Sequence, residues 1–562
     1  MAKLFMLLAG VAAVSAHVAA PARDQSQQRL SPVTSSRFQC NLPPVLDPAG
    51  DGLPSADDLF SSKSARERQV KRLQAVVQVP SVSYDDLGSV GEDERWAPFF
   101  DLHDVLEKTF PTVHKKAKVE KINTLGLLYT IPGSDEGLKP VLLMAHQDVV
   151  PVADASTWKY PPFDAVYDGD FIWGRGASDD KNMLTGLLSA FEALLSNSDW
   201  VPSRTFVLAF GFDEECSGFR GAREISAHLN ERYGKDSFAA ILDEGGLGLL
   251  EFGNALYVLP AVTEKGHVNI FFELDVVGGH SSVPFPHTGI GIIAEIVAEL
   301  EAHPFKAELI EDGPVHNHVQ CQARYSPELY PDLTELVQQG DLEGITHWLV
   351  RAGRETQYIV QTSQAADTIQ GGQKINAMPE KTVLGVNYRV AHHNSLAEVQ
   401  HNAVRRVGGI VKKYGLTLKP YEGDEEYQKY VAGLPSAPEA RAPQPEGVVD
   451  YKGTLVLSTR DKSHPAPISP TSGPAWDIFA GTIRHTFAYE NGTVVPTGEI
   501  MTGNTDSRHY IGLSDNIWRF MPGRSHADSN IHTIDEHVRV DDHIETVKFL
   551  YDFVRNFDAA KF

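Results

Sequence analysis

Residues 141–146 read VLLMAH, five apolar positions in a row and then an imidazole. A short apolar run of this kind suits a strand buried on both faces, the type found in sheets covered by helices on either side. The pattern recurs at TFVLAFGF (205–212) and AAILDEGG (239–246), and KNMLTGLLSAFEALL (181–195) and a shorter stretch near 219–230 carry helical spacing between them. Strand and helix in alternation imply right-handed crossovers and a largely parallel sheet. The rhythm changes over 264–462, where the strand HVNIFFELDVV (267–277), a helix near 289–302, the strand TVLGVNYRV (382–390) and the helix LAEVQHNAVRRVGGIVKKYG (396–415) predict an inserted α+β domain. A polar, partly helical stretch at 325–353 and a Pro-rich loop at 433–446 read as elaborations of that insertion. AWDIFAGTIRHTF then resumes the first pattern and VRVDDHIETVKFLYDFVRNF closes it, so a first domain at 59–263 is expected to be completed by 463–562.

The N-terminus has its own pattern. Lys3 precedes an apolar run from Leu4 to Ala16, and Val14-Ser15-Ala16 offers the small residues of a cleavage site. A signal peptide is expected at 1–20, an uncleaved anchor being the alternative, followed by a flexible leader at 21–58 rich in Ser, Gln, Pro and Asp. The expected destination is the secretory pathway, ending in a vacuole lumen or outside the cell. Asn491-Gly492-Thr493 is a glycosylation acceptor that fits such a route.

With 562 residues, 42% hydrophobic and 22% charged, the chain has the length for two or more domains and an ordinary globular composition. Its formal net charge of -24 disfavours nucleic acid and anionic membrane as partners. Cys40, Cys216 and Cys321 are the only cysteines, so at most one bridge forms and its pairing is open.

Candidate chemistry sits at the ends of the predicted strands, where open α/β sheets collect their ligands. In an extended chain residues i and i+2 share a face, so His146 and Asp148 point two polar groups to one place. Asp213-Glu214-Glu215 follow the second run, Asp243 follows the third, Asp179-Asp180 precede the long helix, and His532 precedes the closing one. Taken singly, Asp179 and Asp180 are acids expected in any first helical turn, and Asp213-Glu214-Glu215 a solvated turn. Together, two imidazoles and several carboxylates are the ligands Zn²⁺ takes, and a pair of divalent ions would offset the acids and clamp an attacking water. HExxH, GxSxG, GxxxxGK[ST] and a strand-following GxGxxG are all absent.

HQDVVPV, GRGASDDK, DEE, the pair GGHSS and NAMPE, GNTDSRHY and a late IHT occur in that order over residues 60–562. Jointly they resemble the M20 co-catalytic zinc metallopeptidase family, in particular its fungal carboxypeptidase S or Gly-Xaa carboxypeptidase branch. The resemblance implies an α/β catalytic domain, a mostly parallel sheet covered by helices, with an inserted α+β, ferredoxin-like lid. It implies two zinc ions per chain, bridged by Asp179 through a cis bond to Asp180. His146 and Asp243 would complete one position and Glu215 and His532 the other, with Glu244 ranked below Asp243. Asp148 would orient His146, Glu214 would be the general base, and His280 of the lid would donate to the oxyanion, a plain strand-end turn being its alternative. Asn376 and Arg389 would meet substrate, Arg389 through a free carboxylate unless it forms a structural salt bridge. Gly503 and Thr505 would meet the same carboxylate, with Asp506 and Arg508 bracing the turn.

Cys216 is assigned neither ligand nor nucleophile, and His316, His318, His392, His393, His509 and His526 are given no role. The implied reaction is dizinc hydrolysis of the C-terminal amide of short peptides, of Gly-Xaa type. An N-acyl amino acid amidohydrolase on the same metal site is the alternative. A catalytically dead scaffold is disfavoured because every ligand and the base are present. In related enzymes the lid dimerises and lends its histidine across the interface, which makes a homodimer through the lid a partner expectation; the elaborated lid here counts against it.

Overall fold

The computed structural model describes residues 38–435, 451–524 and 529–562. The expected signal segment, residues 436–446 of the Pro-rich loop, and His526 lie outside the described residues. Among the described residues no helix is long and apolar enough to cross a membrane.

The described residues form two compact units, one of those up to Thr263 with Glu311–Ile345 and those from Pro467 on, the other of Glu264–Ile310 and those between Thr346 and Ala466. Residues 311–345, read from the sequence as part of the insertion, belong to the first unit instead. Cys321, on the helix Pro314–Tyr325, is disulfide-bonded to Cys40, and the ring of Tyr257 packs against the same helix at His318. The polarity that suggested an elaboration of the insertion is that of helices covering the first unit.

The first unit is built on an eight-stranded sheet in the order Lys118–Ile122, Gly126–Ile131, Phe206–Gly211, Val141–His146, Ala240–Asp243, Ile517–Arg519, Ala261–Glu264, Glu499–Met501. The central four run parallel, and antiparallel pairs flank them on both sides. Every residue of Val141–His146 and Phe206–Gly211 is buried, as their unbroken apolar runs require. The helix Lys181–Ser196 is buried almost all round, and a Cβ on its Gly186 would lie 3.2 Å from Thr546 of the closing helix Val540–Ala559. A helix buried on nearly every face belongs between two layers, and this one fills that position.

The leader expectation does not hold for residues 38–58. Beyond the Cys40 bridge, Asp51 takes both arms of the buried Arg555 guanidinium at 2.7 and 2.6 Å, and Tyr551 donates to the Pro54 carbonyl at 3.0 Å. Ser55 closes a capping box on the helix Ala56–Phe60. Polar composition here marks a strap fastened by hydrogen bonds, because none of its anchors needs an apolar periodicity.

The second unit has a five-stranded sheet, Ser363–Gly371, Lys381–Val390, Gly266–Asp275, Thr454–Ser463, Thr417–Pro420, antiparallel except for the last pair. Val268, Ile270, Phe272 and Leu274 point to one face, where the helices Gly289–Glu301 and Leu396–Tyr414 supply Ile292, Ile296, Val399 and Val407. The second of these helices starts in a Ser395–Glu398 capping box and stops at Gly415, whose φ of 62° few other residues adopt at low cost. This is the expected α+β insertion.

One buried histidine makes the fold acid-sensitive. His543 donates through Nδ1 to Asn182 at 2.5 Å, and burial pushes its pKa down from 6.5 to about 3. The unfolded chain therefore takes up a proton near pH 6.5 that the folded chain refuses, so this contribution is full above that pH and declines as pH falls toward 3. Denaturant titrations at pH 7 and pH 5 are expected to show a His543→Gln variant losing about 2 kcal/mol less than wild type between the two.

Candidate metal centre

Parallel pairing brings the chemistry to one edge of the sheet. Val141–His146 lies between Phe206–Gly211 and Ala240–Asp243, with His146 opposite Gly211, so the residues after all three strands emerge together. His146 is buried; its Nδ1 donates to the Asp148 carbonyl at 3.0 Å, which leaves Nε2 facing Asp179 Oδ1, also at 3.0 Å. Asp179 stands between two imidazoles, for its Oδ2 is 3.2 Å from His532 Nε2. His532 Nε2 is in turn 3.0 Å from Glu215 Oε2. The Asp179–Asp180 peptide is cis, and Asp180 Oδ2 accepts the His146 backbone N–H at 3.2 Å.

Asp148 does more than the sequence reading gave it. Its Oδ1 lies 3.3 Å from His146 Nδ1 and accepts the N–H of Glu214 at 3.1 Å. Its Oδ2 accepts from Glu215 N–H at 3.1 Å and from the Ser83 hydroxyl at 2.6 Å. One carboxylate thus fixes both the imidazole and the turn that carries two acids.

Three overlapping sets of donors converge: His146, Glu214 and Glu215; His146, Asp179 and Glu244; Asp179, Glu215 and His532, with ligand atoms within 4.8 Å of one another in each. The sequence reading placed Asp243 ahead of Glu244; in the structure it is Glu244 whose ligand atom lies within reach of those of His146 and Asp179. Asp243 directs Oδ2 to the Ser507 N–H and Oδ1 to the Glu244 N–H, both at 3.0 Å, so it braces the loop from which Glu244 reaches His146 and Asp179.

The electrostatics ask for cations. Burial pushes Glu215 up to about 7, with Asp179 adding to it and His532 opposing. Burial also holds Glu214 and Glu244 well above the usual carboxylate range. Hydrogen bonds from Asp179 and Glu215 raise His532 to about 10. Packed without metal, the acids can be borne only by retaining protons or leaning on imidazolium; two divalent ions would remove both needs, so the donor set fits them.

Other predicted residues fall elsewhere. His280 and Asn376 meet in the second unit on a two-stranded ribbon: His280 pairs with Ala377, and the Asn376 carbonyl accepts the Ser281 N–H at 3.1 Å. His280 is exposed, and its Nδ1 accepts from the Ser282 hydroxyl at 2.7 Å. Arg389 is half-buried on Lys381–Val390, opposite His267. Gly503 lies in the loop before the turn Asp506–His509, and Thr505 is buried, its hydroxyl capping that turn by accepting from Ser507 N–H at 3.2 Å. Cys216 is half-buried, and burial pushes its thiol up to about 12, which suits an inert side chain.

The family model for "Peptidase family M20/M25/M40" matches residues 142–556. The chain belongs to this family. It is similar to carboxypeptidase S of Saccharomyces cerevisiae, 39% identical over 89% of this chain and 86% of the relative. The N-fatty-acyl-amino acid synthase/hydrolase of Bos taurus is 30% identical over 89% of each chain. Among solved structures, the di-peptidase Dug1p of Saccharomyces cerevisiae shares the fold with a TM-score of 0.59 at 14% identity, over 90% of this chain and 99% of that one. This M20 peptidase is therefore an enzyme of a hydrolase family. Of the residues the sequence reading passed over, Arg175 and Glu536 lie within the family match and bind each other at 2.7 Å beside Asp179, and Ser83 precedes it. The only signal for Glu536 in the sequence is its spacing of four residues after His532.

Proposed function

We propose that this chain is a two-metal carboxypeptidase, with zinc as the metal, that hydrolyses the C-terminal amide of short peptides. The observation that carries this reading is the convergence of His146, Asp179, Glu244, Glu215 and His532 around shared donor atoms beside Glu214, in a chain 39% identical to carboxypeptidase S. Asp179 would serve both ions, His146 and Glu244 one of them, Glu215 and His532 the other. Bound there, two divalent cations would acidify a water and polarise the scissile carbonyl. Glu214, held by the Asp148 carboxylate through its N–H, accepts the proton released in the attack and returns it to the leaving amine. Asp148 keeps the His146 ring turned with Nε2 toward the acids. His280, Asn376 and Arg389 remain the insertion's proposed substrate contacts: an imidazole for the oxyanion, an amide, and a guanidinium suited to a free carboxylate. The Cys40–Cys321 bridge supports an oxidising, secretory-pathway location.

A second reading rests on the bovine relative. An N-acyl amino acid presents the same amide beside the same carboxylate, so the same residues would serve an amidohydrolase. Purified enzyme assayed with blocked Gly-Leu-type dipeptides and with long-chain N-acyl amino acids separates the two. The carboxypeptidase reading expects at least tenfold higher kcat/KM on the dipeptides, with activity lost to a chelator and restored by zinc. Preference for the lipid amides would replace it with the second reading, and chelator-resistant turnover would remove both.

A further inference from the structure

Glu536 lies four residues after His532 and immediately before the strand His537–Arg539. That strand pairs antiparallel with Phe171–Trp173, His537 opposite Trp173, and the Gly174 N–H donates to the Glu536 carbonyl at 2.8 Å. This register sets the Glu536 side chain, 1% exposed, over the turn that leads to Asp179. Its Oε1 accepts from the backbone N–H of Gly176 at 3.0 Å, Ser178 at 3.0 Å and Asp179 at 3.1 Å. Its Oε2 accepts from Arg175 Nη1 at 2.7 Å. Four donors on one buried carboxylate leave the turn little freedom, since each would otherwise be buried without a partner. Gly176 narrows it further: its φ is 85°, and a Cβ there would stand 2.5 Å from Val149.

The residues on either side of Glu536 close the loop of His532. Asn530 Nδ2 donates to the Asp535 carbonyl at 3.3 Å, and the His537 N–H donates to the Ser529 carbonyl at 3.0 Å. Asp535 Oδ1 accepts the Lys159 N–H at 2.6 Å. His532 and Asp535 have φ of 62° and 60°, left-handed values that a side-chain-bearing residue keeps only where neighbours hold it. Glu536 therefore grips the Asp179 turn with its side chain, and its carbonyl, bonded to the Gly174 N–H, joins the end of the His532 loop to the same turn.

We infer that Glu536 is a positioning residue that locks these two loops together and sets the affinity of the metal position formed by Asp179, Glu215 and His532 separately from that formed by His146, Asp179 and Glu244. The inference rests on the two-metal reading. Loosening the Glu536 side chain frees the Asp179 turn from the residue that ends the His532 loop, so the spacing of Asp179 and His532, both ligands of the first position, is lost, whereas the second position takes only Asp179 from these two loops. Outer supports of metal ligands are typically worth 10–100-fold in affinity, and here that loss should be confined to one position.

Zinc titrated calorimetrically into chelator-stripped full-length protein, against a competing chelator, tests this. Wild type is expected to bind two equivalents. Glu536→Ala is expected to keep one of them within about threefold and to weaken the other by about 10–100-fold. Glu536→Gln, which retains an oxygen at the same reach for the three N–H groups, should recover most of that loss. Should Glu536→Ala not fold, Glu536→Asp replaces it: a carboxylate one methylene short cannot reach Gly176 and Asp179 together, and the same selective loss is expected. Equal weakening of both positions, or two unchanged positions in the Ala or Asp variant, overturns the inference alone. A wild type that binds fewer than two equivalents overturns the two-metal reading and the inference with it.

Discussion

Glu214→Gln should lower kcat by about 10²–10⁴-fold, the range for a positioned proton acceptor, while KM and metal content stay near wild type. The substitution keeps the shape of the side chain and leaves the Glu214 backbone N–H bonded to Asp148 Oδ1 at 3.1 Å, so the turn that also carries Glu215 stays in place. What it removes is the ability to hold a proton between attack and departure of the amine. Burial and the neighbouring Glu215 hold this carboxyl well above its ordinary range in the metal-free chain, with His146 opposing, and nearby cations would draw it down toward the working pH. Glu214 also stands in a donor set with His146 and Glu215, which makes the control decisive. Steady-state kinetics alongside zinc content by mass spectrometry would separate the cases: activity lost with metal intact assigns a base, and activity lost together with an ion makes Glu214 a ligand.

Much of this candidate site is legible in the sequence, for a simple reason. A parallel sheet needs strands apolar on both faces, so VLLMAH and TFVLAFGF announce their own ends, and the acids that follow are displayed by topology alone. Where two adjacent acids follow a strand the logic gives out. Asp243 and Glu244 differ by one position, and which of them faces His146 depends on the Gly-rich turn after the strand and on the Ser507 N–H arriving from far along the chain. Thr505 is a similar case, since its part in capping the turn Asp506–His509 shows only once the turn is folded. The strap at 38–58 was misread as flexible because its anchors, Cys321 and Arg555, lie hundreds of residues away and leave no local periodicity. Glu536 was passed over because acids before a strand are common, and only the fold shows three backbone N–H groups pointing at this one.

Asp179→Asn should also have a large effect, because Asp179 contacts both imidazoles: His146 Nε2 is 3.0 Å from one of its oxygens and His532 Nε2 is 3.2 Å from the other. An amide keeps the volume but offers one oxygen where two are needed, and its NH₂ meets whichever partner is left. Burial raises the Asp179 carboxyl, yet the two imidazoles outweigh it and hold the group well below the usual range, a measure of how strongly this point attracts positive charge. Removing that charge should leave at most one zinc equivalent. The several kcal/mol of charge stabilisation that a metal pair supplies would go with it, a fall of about 10³-fold or more in kcat/KM. Ligand-linked stability gives an independent readout, since an ion at 100 times its Kd adds about 2.7 kcal/mol to the native state. The wild-type melting temperature should therefore rise when zinc is added to the metal-free protein, and that of Asp179→Asn should barely move. A variant that still binds two ions and melts like wild type would show that the imidazoles and the remaining acids hold the pair without a shared carboxylate between them.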